Sequence, residues 1–375
     1  MVLLIGNYFP DHQQSMQRFS AMLLQGLSTA GISAALITPQ PVLGNVSRVP
    51  PFISKWLAYI DKYVLFPFQL RKKLATRPAI VHICDHSNAV YVARCLRTPV
   101  VVTCHDLLAV RGALGEQTDC PASVMGRLLQ RWILKGLRKA AAVACVSQAT
   151  AADAKRLIAG GNARIHISIV PMGLNYPYQK LPAEAARMRL AKIHALDIDL
   201  PFVLHVGSNL RRKNREGVLR IFARVKDSWN GQLVFAGDLL TPGLMSLASQ
   251  LAVRERIVQI KDPEGELLES LYSAAVALLY PSRFEGFGWP IIEAHACGCP
   301  VICSTSGPLP EVAGDAGLFH AVDDEPGFAA DLLRVTDPAE RAKWSEKALG
   351  NAERFSAKKM IARYIDIYRN LGANL

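Results

Sequence analysis

Two glutamates, Glu285 and Glu293, flank a loop that carries Gly286 and Gly288, with seven residues between them. The window runs from Tyr280 through Pro281, Ser282, Arg283, Phe284, Glu285, Gly286, Phe287, Gly288, Trp289 and Pro290 to Glu293. An apolar strand-like run ends at Tyr280, and Pro290 opens a helix, where a missing N–H costs nothing. Free amides of a glycine-containing loop at a helix start suit an anion, phosphate above all. Carboxylates suit sugar hydroxyls, and this spacing lets the two face one ligand from two sides, with Glu293 in the first helical turn. Read blandly, the window is a turn, and Glu293 only complements the helix dipole.

A second window, Gly207-Ser208-Asn209-Leu210-Arg211-Arg212-Lys213-Asn214, follows another apolar run. Lys213 offers a point charge and Arg212 a planar fork, both suited to a diphosphate; a solvated basic loop is the plainer reading. Hydrolysis of a glycoside also uses two carboxylates, but a phosphate-type loop between them argues against it. His295, Cys297, Cys299 and Cys303 cluster without the paired spacing of zinc ligands. They read as a helix stopping at Gly298 and a strand restarting after Pro300. The Asp197-Ile198-Asp199 run precedes its strand and reads as linker. No metal or other cofactor is expected.

These windows need a scaffold. Short apolar runs alternate with stretches of helical period: Val2–Ile5, Ala34–Ile37, Ile80–Ile83, Val100–Thr103, Ala142–Val146 and Ile167–Val170 in the first half. Phe202–Val206, Gln232–Phe235, Ile257–Gln259, Ala275–Leu279, Val301–Cys303 and Leu318–Phe319 follow in the second. Such alternation implies α/β architecture with doubly wound parallel sheets. The pattern runs twice, each time opening with a buried strand that ends at glycine, Gly6 and then Gly207. The 375 residues suit two domains, here 1–185 and 186–355, with a helical segment 356–375 after them.

The net charge of +12 is unevenly placed. Residues 1–190 hold 22 Lys and Arg against 8 Asp and Glu, and residues 191–375 hold 21 against 23. The first half therefore meets something anionic. Trp56 and Tyr59 with Lys55, Phe66 and Phe68 with Arg71, Lys72 and Lys73, and Trp132 among Arg127, Arg131, Lys135, Arg138 and Lys139 suit an anionic membrane surface. Two ordinary amphipathic helices are the alternative. No nucleic-acid motif accompanies the charge. No apolar run approaches the roughly 20 residues of a membrane span, and no secretory signal is evident. The expected place is the cytoplasm, peripheral at the inner face of the cytoplasmic membrane.

Together the windows resemble the retaining GT-B glycosyltransferases of family 4. Gly307 to Gly314, Thr103-Cys104-His105-Asp106, Val146-Ser147 and Val170-Pro171-Met172-Gly173 resemble further landmarks of that family. The resemblance implies two Rossmann-like domains facing across a cleft, with the last helix crossing back to the first. It also implies a nucleotide-sugar donor and a glycan or lipid-linked sugar acceptor, in bacterial surface polysaccharide assembly. Glu285 would contact the transferred sugar and Glu293 the ribose. Amides of Gly286, Phe287 and Gly288 would meet sugar and β-phosphate beside Gly207 and Ser208. Lys213 would neutralise the diphosphate and His105 would reach the donor sugar. Ser208 stands where many members have Arg, and Arg212 would supply the fork. The loop after the first strand lacks a Gly-Gly pair, so Asn7, Gln13, Gln14 and Ser15 would meet acceptor. A sugar-nucleotide epimerase or a non-catalytic nucleotide-sugar binder on this fold are the alternatives.

Overall fold

A computed structural model describes residues 1–11, 13–44, 50–95, 97–158, 165–263 and 265–375. The chain forms two compact units, residues 1–175 with 357–375, and residues 176–356. The first holds six parallel strands: β1 (Val2–Ile5), β2 (Ala34–Ile37), β3 (Ile80–Ile83), β4 (Val100–Cys104), β5 (Ala142–Cys145) and β6 (His166–Ile169). Their order is β2-β1-β3-β4-β5-β6. Every residue of β1, β3, β4 and β5 is buried, as expected where helices cover both faces of a parallel sheet. Strand β6 is the edge and is half exposed.

The second unit repeats the design with β7 (Phe202–Gly207), β8 (Gln232–Gly237), β9 (Ile257–Lys261), β10 (Leu278–Tyr280), β11 (Val301–Ser304) and β12 (Gly317–His320). Their order is β12-β11-β10-β7-β8-β9, all parallel. In both sheets the connections reverse direction beside the first strand, between β1 and β3 and between β7 and β10. Ligands of doubly wound sheets bind at such reversals, beyond the C-terminal strand ends.

Two expectations need correction. Residues 176–185 belong to the second unit, not the first. Gln179 N donates to Glu269 (3.1 Å) and Leu181 N to Ser273 Oγ (3.2 Å), while Tyr178 meets Tyr272 edge-on. Strand β10 begins at Leu278, three residues later than the apolar run suggests, although Val276 N already donates to Phe202 O and Ala277 O accepts from Leu204 N, both at 2.9 Å.

The last helix, Ala357–Asn370, is part of the first unit. It presents Met360, Ile361, Tyr364 and Tyr368 inward at helical spacing. A fully buried polar chain fastens it to the sheet: His82 lies 2.5 Å from Tyr368 Oη and 2.8 Å from Thr103 Oγ1, which is 2.8 Å from Tyr364 Oη. Burying these groups is tolerable only because each finds a partner.

His82, His205 and His295 are all fully buried, and burial lowers the affinity of each for a proton, to a pKa of about 3. Below about pH 6.5 the unfolded chain binds protons at these positions that the folded chain refuses. His86 opposes them, since Asp85 raises its pKa, but three outweigh one. Urea unfolding at pH 7.5, 6.5 and 5.5 is therefore expected to show a midpoint that falls steadily with pH. A midpoint constant across that range would contradict neutral burial of the three imidazoles.

Candidate active site

The reversal point of the second sheet brings both chemical windows together. The loop after β7 carries Ser208 to Asn214, and the loop after β10 carries Pro281 to Gly288. Backbone and side chain stitch them: Arg283 N donates to Arg212 O (2.7 Å) and Asn214 Nδ2 to Pro281 O (3.0 Å). Asn214 takes a left-handed conformation (φ 52°) and caps the helix Arg215–Val225, accepting from Gly217 N. That turn swings Lys213 back over the end of β7. A Cβ on Gly207 would stand 3.2 Å from Lys213 Cδ, so glycine lets the lysine stem lie there.

Lys213 and Glu285 are then the centre of a buried ionic cluster. Lys213 Nζ donates to Glu285 Oε1 (2.7 Å) and to Tyr280 Oη (2.6 Å), and Tyr280 Oη donates to the same Oε1 (2.7 Å). Arg212 Nη1 donates to the other oxygen, Oε2, at 2.6 Å. Burial alone would raise the Glu285 pKa, but the charges of Lys213 and Arg212 hold it down at about 2. Burial lowers that of Lys213, with Glu285 opposing. Tyr280 is pushed well above the ordinary phenol range by burial and by Glu285. At neutral pH the cluster is a carboxylate between two cations, with a neutral phenol.

Tyr280 escaped the sequence reading as a site residue because it ends a buried strand and looks like core. Arg215 escaped too. It is buried, donates to Asn209 Oδ1 and Asp238 O (both 2.7 Å) and to Gly207 O, and so fixes the loop around Ser208. Burial lowers its pKa to about 10.

The loop Glu285–Gly288 runs into the helix Trp289–Ala296, whose second residue is Pro290. Phe287 points inward against Phe355. Glu293 lies one residue deeper in this helix than expected, just past its first turn, because the helix starts at Trp289. It is buried and accepts from Tyr272 Oη at 2.9 Å. Among the described residues no three His, Cys, Asp or Glu side chains are grouped to hold a metal ion. His295 instead lies 2.9 Å from Asn351 Nδ2.

The first unit has its own polar group at the β1/β3 reversal. Asn7 is buried, and its amide donates to Asp85 Oδ2 (2.6 Å) and to Gln13 Oε1, while Asn88 donates to its oxygen (3.1 Å). Gln14 and Ser15 are exposed at the start of the helix Gln14–Thr29. Asp85 and His86, absent from the sequence reading, pair at 3.1 Å. Burial pushes Asp85 upward, but His86 more than reverses it and holds the carboxyl below its usual range. His105, at the end of β4, is buried with Nε2 2.9 Å from Cys84 O and Phe19 edge-on to its ring.

Residues 16–176 match the family described as Glycosyltransferase Family 4, and residues 187–350 match Glycosyl transferases group 1. Only residues 1–15, 177–186 and 351–375 fall outside the two matches. The chain belongs to the GT-B glycosyltransferases that carry these two modules. An O-antigen chain mannosyltransferase B of Escherichia coli is 41% identical over 45% of this chain and 46% of its own length. A D-inositol 3-phosphate glycosyltransferase of Acidothermus cellulolyticus is 28% identical over 72% of this chain and 62% of its own. The chain thus spans about half to two thirds of these relatives. Sucrose-phosphate synthase from Thermosynechococcus elongatus shares the fold end to end, with a TM-score of 0.77 over 100% of this chain and 99% of that one, at 21% identity.

Removing one partner of a buried pair strands the other charge, at a cost of about 3–5 kcal/mol. Lys213→Met and Glu285→Gln should each lower the unfolding free energy on that scale, and the double variant by about 1–3 kcal/mol less than their sum. Additive losses in urea unfolding would show that the two side chains do not share one interaction.

Proposed function

We propose that the protein is a retaining, metal-independent glycosyltransferase that moves a sugar from a nucleotide-diphosphate sugar to a glycan or lipid-linked sugar acceptor. The observation that carries this reading is the Arg212–Lys213–Glu285–Tyr280 cluster at the reversal point of the second sheet, beside a glycine-containing loop that opens a helix. As the bond between anomeric carbon and phosphate breaks, its electron pair leaves with the diphosphate. Lys213, Arg212 and the amides of Gly286, Phe287 and Gly288 meet the charge that develops there, where electrostatic stabilisation counts most. The acceptor oxygen bonds to the anomeric carbon on the face the phosphate leaves, and its proton passes to a phosphate oxygen. Glu285 holds the cations in register and meets the sugar, Glu293 takes the ribose, and His105 is assigned to the donor sugar. The named activity of the Escherichia coli relative supports bacterial surface polysaccharide assembly.

The acceptor side follows from the exposed surface of the first unit. Residues 51–74 form one continuous helical run. Trp56 (55% exposed), Ile60, Val64 and Phe68 (64%) recur along it every four residues. On the helix Val124–Leu137, Val124, Met125, Leu128 and Trp132 are exposed as well. The rings of Trp56, Tyr59, Tyr63 and Trp132 follow one another at centroid separations of 5.7, 5.7 and 5.4 Å. Arg71, Lys72, Lys73, Arg127, Arg131 and Lys135 are exposed on the same two segments. Their sole carboxylate, Asp61, is buried. An apolar, aromatic and purely basic face suits an anionic bilayer, which makes the protein peripheral at a membrane where lipid-linked acceptors reside. No helix among the described residues is long and apolar enough to cross that membrane.

A ligand that binds only the folded state raises the unfolding midpoint. UDP, GDP, ADP or CDP at millimolar concentration, with and without EDTA, should reveal one stabilising nucleotide whose effect EDTA leaves intact. Glu293→Ala should weaken that nucleotide's binding, and Glu285→Ala should weaken it less while cutting transfer more. If no nucleotide stabilises the protein, the donor site is misread.

Membrane attachment has its own measurement. In vesicle flotation the protein should rise with vesicles containing phosphatidylglycerol and stay behind with phosphatidylcholine alone. Trp56→Ser with Phe68→Ser should abolish the attachment, as should about 1 M salt, which shortens screening to roughly 3 Å. Flotation indifferent to lipid charge would contradict the basic face.

A further inference from the structure

A cavity of about 330 Å³ opens in the first unit between the loop after β1 and the helical run 51–74. Tyr8 and Asp11 line it from the loop, and Ser54, Lys55, Tyr59 and Lys62 from the helix. Its walls are built rather than incidental. Pro67 lacks the N–H its helix needs, and the backbone widens into a π turn at Asp61–Leu65 just ahead of it. That turn sends Asp61 inward, where it accepts from Tyr8 Oη (2.8 Å), Leu43 N (2.9 Å) and Gly44 N (2.8 Å). A Cβ on Gly44 would stand 2.2 Å from Tyr8 Oη, so only glycine permits this closure.

The next residue, Lys62, is thereby turned into the cavity. Its ammonium lies 5.4 Å from the Tyr8 ring centroid and 5.3 Å from that of Tyr59, and it donates to both oxygens of Asp11 (2.9 and 3.1 Å). Lys55 is exposed at the same opening. The cavity therefore has two ammonium groups against one carboxylate, aromatic walls and a hydroxyl from Ser54. Lys55, Tyr59 and Lys62 recur at helical spacing on the face one residue round from Trp56 and Ile60. A ligand whose charged group enters the cavity has the apolar stripe immediately beside it.

We propose that this cavity is the subsite for the phosphate of a lipid-borne acceptor, a phosphate or diphosphate ester whose hydrocarbon lies along Trp56, Ile60, Val64 and Phe68. Lys55 and Lys62 meet the phosphate oxygens, and Asp11 holds the Lys62 ammonium in place over the two rings. The proposal rests on the reading of a lipid-linked acceptor given above and narrows it to acceptors that carry their phosphate at the membrane face.

Titration calorimetry on the full chain tests it, with farnesyl diphosphate below its micellar concentration and with inorganic pyrophosphate as probes. Farnesyl diphosphate should bind the wild type, and Lys55→Gln and Lys62→Gln should each weaken it about tenfold, the scale of one charge-assisted hydrogen bond. Lys192→Gln, exposed in the second unit and away from both the cavity lining and the basic face, should stay within about twofold. Lys55 is exposed and its removal leaves the Lys62–Asp11 pair intact, so its variant keeps the fold. Unchanged affinity in both cavity variants, or no binding, overturns the site. Pyrophosphate binding as tightly as farnesyl diphosphate overturns the lipid part and points to a free phosphate compound. Nucleotide stabilisation of the full chain, measured in parallel, keeps the two readings apart: its absence, with farnesyl diphosphate still bound at the lysines, would sink the donor site and leave the cavity as a lipid-phosphate site.

Discussion

A parallel sheet whose connections change direction must leave two loops side by side at its C-terminal edge, with no helix crossing between them. Everything chemical in this protein follows from that constraint, met once between β1 and β3 and again between β7 and β10. At such a place strand carbonyls have ended and helix amides have begun, so polar groups gather where the core is closest. Each must find a partner or lose several kcal/mol to desolvation. The two reversals solve this differently. In the second unit a carboxylate is placed between two cations. In the first, amides and a carboxylate share hydrogen bonds, with Asn7 bridging Gln13, Asp85 and Asn88.

The ionic solution is the more expensive. A hydrophobic pocket of the same shape would be as stable or more so, since desolvation of buried charges commonly exceeds their attraction. What the Lys213–Glu285 pair contributes is orientation. Tyr280 and Lys213 hold one carboxylate oxygen and Arg212 the other, so both cations are fixed before any ligand arrives. In the proposed reaction a diphosphate entering beside them would meet charges that need no reorganisation, which is the condition under which electrostatics lowers a barrier most. The depressed proton affinity of Glu285 keeps that arrangement intact across the neutral range.

Local pattern carried the scaffold because a buried parallel strand is a short continuous apolar run, and runs such as Phe202–Val206 and Val2–Ile5 are unambiguous. The two basic and acidic windows were legible by residue type. Their union was not, for Arg212 and Glu285 are 73 positions apart and no spacing rule reaches so far. Tyr280 and Arg215 were illegible for opposite reasons. A tyrosine ending a strand and an arginine opening a helix are ordinary in those places, and only the fold shows what they touch. The boundary near residue 176 was blurred because the chain changes unit within a loop whose anchors, Glu269 and Ser273, lie about ninety residues later.

Residues 51–74 show how one buried group shapes a whole surface. Their sequence offers one acidic residue, and the π turn ahead of Pro67 puts it inside, where three donors hold it. Had the helix stayed regular, Asp61 would have joined a different face, and the exposed stripe would have carried a carboxylate among its lysines and aromatics. Turning it inward leaves the outer face with positive charge alone, so repulsion from an anionic surface has no local source. The same turn sets Lys62 against Tyr8 and Tyr59. The Tyr8 bond ties the helix to the loop after β1, in which Asn7 reaches the polar group at the sheet's reversal point, and the Leu43 and Gly44 bonds tie it to the loop after β2. The outward basic face and the inward polar site are thus joined through two neighbouring links, the Asp61–Tyr8 hydrogen bond and the Lys62–Asp11 pair.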